Sequence, residues 1–224
     1  MATYKEKFRY EIEVDQEQID EALQLLNDVG GNSTQALVRG INRAGPKIRT
    51  LTSAKIRENV RLTAKYITGT TGADGGKRQP RLNFVKASFA RPTGRITTPY
   101  RGVLSSRYST DPQLKNSWEK KWDAAPPVPD TGISLQIKAK GGAAQLSNEW
   151  FYMVFKNSRQ IGIVKWETPE RKKWRDLTVG LAPSLSQVMN QIKDEKITPT
   201  ANRYLYEEVL NQIETLIKGE TGIK

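Results

Sequence analysis

The sequence predicts an α+β fold, in which a long, kinked and basic N-terminal helix packs on a mostly antiparallel sheet and a C-terminal amphipathic helix follows. Three observations support this prediction. Apolar residues recur at helical spacing between residues 37 and 51, later segments alternate apolar and polar residues as half-buried strands do, and a second helical stripe follows Pro199. Because helices and strands come in separate runs and no repeat is visible, a mixed arrangement is favoured over repeated βα units.

The first long helix is predicted to begin at a cap provided by Ser33 or Thr34 and to end near Asn59. Pro46 lies inside it, and because proline lacks the backbone N–H that a helix uses, we expect a kink near Gly45 and Pro46. The apolar residues are spaced 4, 3, 4 and 3 apart, as in a seam that packs against a core or another subunit. This seam consists of Leu37, Ile41, Ala44, Ile48 and Leu51.

The other elements follow from the same two periodicities. A strand over residues 8–14 precedes a helix over 19–26, which Gly30 and Gly31 end, and residues 63–67 predict a further short helix. Later strands are predicted over 82–89, 95–97, 133–137, 150–155 and 161–166, the last two joined by a hairpin turn over 156–159. The last helix ends at Gly219, and its apolar face consists of Tyr206, Val209, Leu210, Ile213, Leu216 and Ile217.

The order of these elements divides the chain into four segments of what we expect to be one structural domain with appendages. The segments are 1–98 (first strand, helices and first sheet strands), 99–130 (irregular, proline-containing connector), 131–192 (the rest of the sheet) and 193–224 (C-terminal helix). The N-terminus lacks a signal peptide and no apolar run is long enough to span a membrane, so we expect a soluble protein made in the cytoplasm.

The composition excludes several classes of enzyme. The chain has no cysteine and no histidine, so disulfides, thiolate chemistry, histidine-based nucleophile activation and ordinary zinc sites are ruled out. Asp130 with Glu170 and Lys172 resembles the acid-acid-lysine pattern of magnesium nucleases. Asp130 follows prolines and Glu170 lies in a run of charges, so solvated loop acids are the better interpretation. The sequence therefore predicts a protein that is not an enzyme, with no catalytic residues, no metal site and no cofactor.

The Gly-rich segment 68–80 contains Gly76 followed by Lys77, which suggests a phosphate-binding loop. The match fails on both sides, because Thr71 stands where the first glycine belongs and Arg78 where a magnesium-binding serine or threonine belongs. We expect a loop without nucleotide.

The formal net charge of +12 is concentrated in one stretch. Residues 39–101 carry fifteen basic side chains against only Glu58 and Asp74, a net charge of +13. Such a stretch attracts polyanions or an acidic protein face, although a solvated helix face is the simpler alternative. Aromatic residues are too far apart for base stacking, so contact would be electrostatic. The predicted partner-binding face consists of Arg39, Arg43, Lys47, Arg49, Lys55, Arg57 and Arg61.

Two blocks of sequence resemble the prophage minor tail protein Z family. The first runs from Ala36 to Ala44 as ALVRGINRA and continues through Lys47-Ile48-Arg49 to Ile56-Arg57-Glu58. The second combines the aromatic strand Phe151 to Val154, the turn at 156–157 and Gly162-Ile163 with residues 177–188, LTVGLAPSLSQV. Ala182 separates Gly180 from Pro183, where the family has glycine directly before proline. The resemblance covers about residues 34–192.

The resemblance implies a structural virion protein of a long-tailed bacteriophage. A tail completion protein of this kind lies in the neck, at the head-proximal end of the tail, and is a homo-hexameric ring assembled in the host cytoplasm. Its expected partners are the tail terminator or tube and the head-tail connector, with transient contact with genomic DNA and none with membrane. DNA must pass through such a ring, which disfavours tight phosphate contacts, so an acidic protein partner for the basic stretch is favoured. The alternative is a non-specific DNA-binding protein acting through residues 39–101.

Overall fold

Four α-helices can be traced in the structure, a computed structural model that describes residues 8–12, 24, 27–28, 32–71, 77–78, 80–168 and 176–221. They are α1 (Ser33–Asn59), α2 (Ala64–Thr68), α3 (Leu185–Ile192) and α4 (Thr198–Thr221), with a π-helical turn at Lys193–Ile197 between the last two. Most of the helix predicted over 19–26, and Gly76 of the Gly-rich segment, lie outside the described residues.

The described strands are short and pair antiparallel. They are β1 (Phe8–Ile12), β2 (Thr70–Thr71), β3 (Lys77–Arg78), β4 (Asn83–Val85), β5 (Gly94–Thr98), β6 (Val103–Leu104), β7 (Ser134–Leu135), β8 (Ala144–Gln145), β9 (Phe151–Phe155), β10 (Gln160–Trp166), β11 (Leu177–Val179) and β12 (Leu181–Ala182). Two three-stranded sheets have the orders β1-β5-β4 and β11-β10-β9, and the pairs β12-β6, β2-β3 and β7-β8 are separate. The α+β class is therefore confirmed, with several small antiparallel sheets in place of a single one.

The chain divides into two compact units. The first comprises residues 1–55, 82–99 and 189–224, and the second comprises residues 56–81 and 100–188. The four segments deduced from the sequence stay a prediction.

Helix α1 ends at Asn59, as its periodicity predicts, and it continues without interruption through Pro46. The predicted cap at Ser33 or Thr34 was wrong: Ser33 is already helical, and Oδ1 of Asn32 accepts from the Gln35 N–H at 2.9 Å, as an N-cap side chain does. Within the predicted seam, Ile41, Ala44 and Ile48 are fully buried, whereas Leu37 and Leu51 are half-buried. The buried residues belong to the core of the first unit, because Ile96 of the central strand β5 is also fully buried there.

Helix α4 completes the first unit and approaches α1 closely at Gly40. A Cβ atom at this glycine would lie 2.8 Å from the Cα of Val209 and 2.6 Å from its Cγ2. The buried face of α4 differs from the predicted one, because Tyr206 is 37% exposed. The helix also runs past its predicted end at Gly219 to Thr221. The buried residues are Ala201, Leu205, Val209, Gln212 and Ile213.

The second unit is organised around the β9-β10 hairpin, with its turn at the predicted residues 156–159. The register places Ile163 opposite Tyr152, and β11 extends the sheet on the other side of β10. The strand predicted over 133–137 is limited to Ser134–Leu135, and the Gln136 N–H donates to the carbonyl of Tyr108. One cluster of core residues in this unit consists of Leu114, Ile133, Leu135, Tyr152, Ile161 and Ile163.

Two buried tyrosines make the second unit sensitive to base. Burial is the largest cause that raises the pKa of Tyr152 to about 12, and the neighbouring Asp111 carboxylate, which accepts a 3.1 Å hydrogen bond from the Tyr152 hydroxyl, adds to it. Burial also raises the pKa of Tyr108. Because the folded-state pKa lies above the unfolded value of about 10, the native state keeps the tyrosine proton to a higher pH than the unfolded state does. The free energy of unfolding is therefore unaffected by these groups below pH ~10 and falls as the pH rises above it.

We therefore expect the free energy of unfolding to decrease above pH ~10 by about 1.4 kcal/mol per pH unit for each such tyrosine. Urea unfolding followed by circular dichroism at pH 8 to 11.5 (about half-unit steps) measures this slope. The variant Tyr152→Phe should have a smaller slope than the parent chain. Equal slopes would mean that Tyr152 does not carry the effect.

Candidate partner-binding surface

Contacts of α1 with the β4 region fix which side of the helix is available to a partner. Asn42 bonds the backbone of Ala87 twice, donating from Nδ2 to the carbonyl at 3.0 Å and accepting from the N–H at 2.8 Å. Arg49 donates from Nε to the carbonyl of Leu82 at 2.9 Å. The ring of Phe84 lies so close to Gly45 that a Cβ there would be 2.0 Å from it. Arg39 and Arg43 lie on α1 between these contacts and the close approach of Gly40 to α4, and both are exposed to solvent.

The seven predicted basic residues have different environments. Within the first unit, Arg39, Arg43 and Lys47 are exposed, whereas Arg49 and Lys55 are half-buried. The second unit contains Arg57 and Arg61, both exposed. Arg39, Arg43 and Lys47 follow one another at intervals of four residues and so lie along one face of α1.

Lys47 is already paired inside the first unit. Its Nζ lies 2.5 Å from Oε1 of Glu208 on α4, and the Glu208 side chain is only 12% exposed. The hydrogen bond to this carboxylate is the main cause that raises the pKa of Lys47 above its ordinary value. Lys47 is therefore a contact between α1 and α4 and is less available to an external anion than the two arginines.

An open groove of about 340 Å³ lies beside the two arginines on the α1 and α4 surface. Neither Arg39 nor Arg43 has a hydrogen-bond or ion-pair partner among the described residues. Gln212 is 2% exposed, and its Nε2 has no hydrogen-bond acceptor in the described part of the chain. The groove is lined by Arg39, Asn42, Arg43, Gln212 and Thr215.

The donors that line the groove outnumber its free acceptors. Both Asn42 side-chain atoms are engaged by Ala87, and the Thr215 hydroxyl donates to the carbonyl of Asn211 at 2.7 Å. The two guanidinium groups and the Gln212 amide remain as donors, and a guanidinium has no acceptor. An arrangement of this kind, with two positive charges, favours an oxygen-rich anion over a cation.

The sequence predicts Arg39 and Arg43 on the surface, whereas Gln212, Thr215 and the partner of Lys47 were not among the predicted residues. Gln212 follows Leu205 by seven residues and Val209 by three, a helical spacing that could have indicated a buried position. Nothing in the sequence marks Glu208 as the partner of a lysine 161 residues away.

The acid-acid-lysine pattern is described only at Asp130, which is exposed, since Glu170 and Lys172 fall outside the described part. No three metal-binding side chains come together in the ranges that the structure describes. In the same ranges, none of the helices has an apolar stretch sufficient to cross a bilayer.

No family model, curated protein or solved structure matches the chain.

Proposed function

We propose that this chain is a structural virion protein of a long-tailed bacteriophage, a tail completion or neck component that joins the tail tube to the head connector. The resemblance of residues 34–192 to the minor tail protein Z family carries the proposal. The partners are the tail terminator or tube and the head-tail connector, and the chain acts as a homo-hexamer without enzymatic activity. Its place is the tail or neck of the virion.

The first unit supports a role in docking to an acidic partner. Its long helix is fixed on one side by Asn42 and Arg49, so that Arg39 and Arg43 are presented on a rigid element. Phe89 is 61% exposed and Val85 is 45% exposed in the same unit. Exposed apolar residues close to charged ones are typical of subunits that bury further surface on assembly.

A second candidate is non-specific DNA binding, which the net charge of +13 over residues 39–101 favours. The structure supplies a reason to rank it lower. Glu208 neutralises Lys47 on the same face as the two arginines, so a duplex following that face would meet an acid after two cations. Duplex DNA carries one phosphate per ~1.7 Å of its axis and is best bound by an uninterrupted basic surface.

The decisive experiment combines assembly with DNA binding. We expect the purified chain to sediment as a hexamer, alone or with connector and tail terminator proteins of the same phage, and to form rings in electron micrographs. We also expect weak binding of duplex DNA in a gel shift at ~0.2 M salt. A chain that stays monomeric with these proteins and binds duplex tightly at that salt concentration would overturn the neck role in favour of DNA binding.

A further inference from the structure

The groove beside Arg39 and Arg43 combines three observations that point to a ligand. Arg39 and Arg43 are both exposed and lie one helical turn apart, with about 6 Å between their Cβ atoms. Neither has a partner among the described residues, although Lys47, one turn further along, is paired with Glu208. At the base of the groove, the Gln212 amide is buried without an acceptor.

Leaving a buried amide donor without an acceptor destabilises the folded chain, because the group loses its hydrogen bond to water on folding. Glutamine at this position therefore lowers the stability of the free chain. The destabilisation disappears if a ligand oxygen accepts from Nε2 when the groove is occupied. Gln212 lines the groove together with Arg39, Arg43 and Thr215. Its Nε2 is closed to solvent in the free chain, so a ligand bound to the arginines reaches the amide once the Gln212 side chain turns towards the groove.

We infer that this groove is a carboxylate-binding site, which receives an aspartate or glutamate side chain from an acidic segment of a partner protein. The inference rests on the proposed docking function and specifies its contact point. A guanidinium pairs with a carboxylate through two parallel hydrogen bonds, and such charge-assisted bonds are stronger than neutral ones. The Gln212 amide donates to the same carboxylate or to a carbonyl next to it.

A protein carboxylate fits the groove better than the phosphates of a duplex. Glu208 lies one turn before Gln212 on the same face of α4, and Lys47 is its only described ion-pair partner. A single carboxylate can occupy the space beside Arg39 and Arg43 without approaching Glu208. The phosphates of a duplex extend in both directions and would meet the neutral Lys47–Glu208 pair in place of a third cation.

The test compares two double variants that remove the same charge from exposed arginines. Arg39→Gln/Arg43→Gln alters the groove, and Arg57→Gln/Arg61→Gln alters the basic stretch in the second unit. A labelled oligo-glutamate of about ten residues is titrated at ~50 mM salt and followed by fluorescence anisotropy. We expect the groove variant to bind it at least about tenfold more weakly than the parent chain and the matched variant to lose less than about threefold.

A third variant separates binding from folding. Gln212→Met keeps the length of the side chain and removes the amide, so we expect the melting temperature of the free chain to rise by about 3 °C while affinity for oligo-glutamate falls about threefold. A purely structural glutamine would give the opposite change in melting temperature and unchanged affinity. That result would overturn the role assigned to Gln212.

Equal losses in the two double variants would mean that only the overall charge matters, and the groove would not be a site. Absence of oligo-glutamate binding by the parent chain would overturn the inference directly. Selective loss of duplex binding in the groove variant, with oligo-glutamate unaffected, would identify the groove as a nucleic-acid contact. Each of these results leaves the neck role to be decided by hexamer formation and by binding to the connector and terminator proteins.

Discussion

Replacing Ile163 with alanine is expected to lower the free energy of unfolding by about 2–5 kcal/mol, the largest effect among the substitutions considered. Ile163 is fully buried in the middle of β10 and opposite Tyr152 in the strand register. Its removal leaves a cavity lined by residues of the same core, such as Leu114 and Ile133, which paired strands and short helical turns hold in place. Urea unfolding followed by tryptophan fluorescence measures the change.

The matched control at this position is Ile163→Val, which removes one methylene group and should cost about 1 kcal/mol. A loss of similar size in both variants would indicate that the surroundings collapse to fill the space. In that case the core around β10 would be less rigid than its pairing with β9 and β11 implies.

Replacing Gly40 with alanine is expected to lower the free energy of unfolding by about 2 kcal/mol. Alanine is normally favoured over glycine inside a helix by up to about 1 kcal/mol. Here the added methyl group would lie 2.8 Å from the Cα of Val209, so the backbone of α4 itself must move. The displacement would also disturb the pairing of Lys47 with Glu208, which joins the same two helices.

Gly219 provides the control for this prediction, because it also lies inside a helix but a Cβ built on it would meet no atom from other parts of the described chain within 4 Å. Gly219→Ala should therefore raise stability by about 0.5–1 kcal/mol. Opposite signs for the two glycine substitutions, measured by the same urea titration, would establish the close approach of α1 and α4. A stabilising Gly40→Ala would contradict it.

Structural features that are determined by residues close together in the sequence were predictable from it. The approximate limits of α1 follow from a capping residue and from a seam of regular spacing, both of which are local. The hairpin of β9 and β10 was also predictable, since two alternating segments are joined by a short polar turn. The class of fold then follows from the order of the elements.

The candidate site was predictable only in part, because its geometry depends on a contact between distant segments. Apolar residues surround much of α4, including Leu205, Tyr206, Val209 and Leu210, so several faces could have packed on the rest of the first unit. Gly40 selects one of them by allowing Val209 to approach. That choice buries Gln212 and exposes Tyr206, which reverses the expectation from hydrophobicity alone.

The side-chain amide of Asn42 takes the place of a peptide group from a neighbouring strand, since it offers both a donor and an acceptor to Ala87. Aspartate has the right shape but lacks the donor, leucine lacks both, and glutamine is longer by one methylene group. Any related chain that retains this connection should therefore tolerate only asparagine at the position.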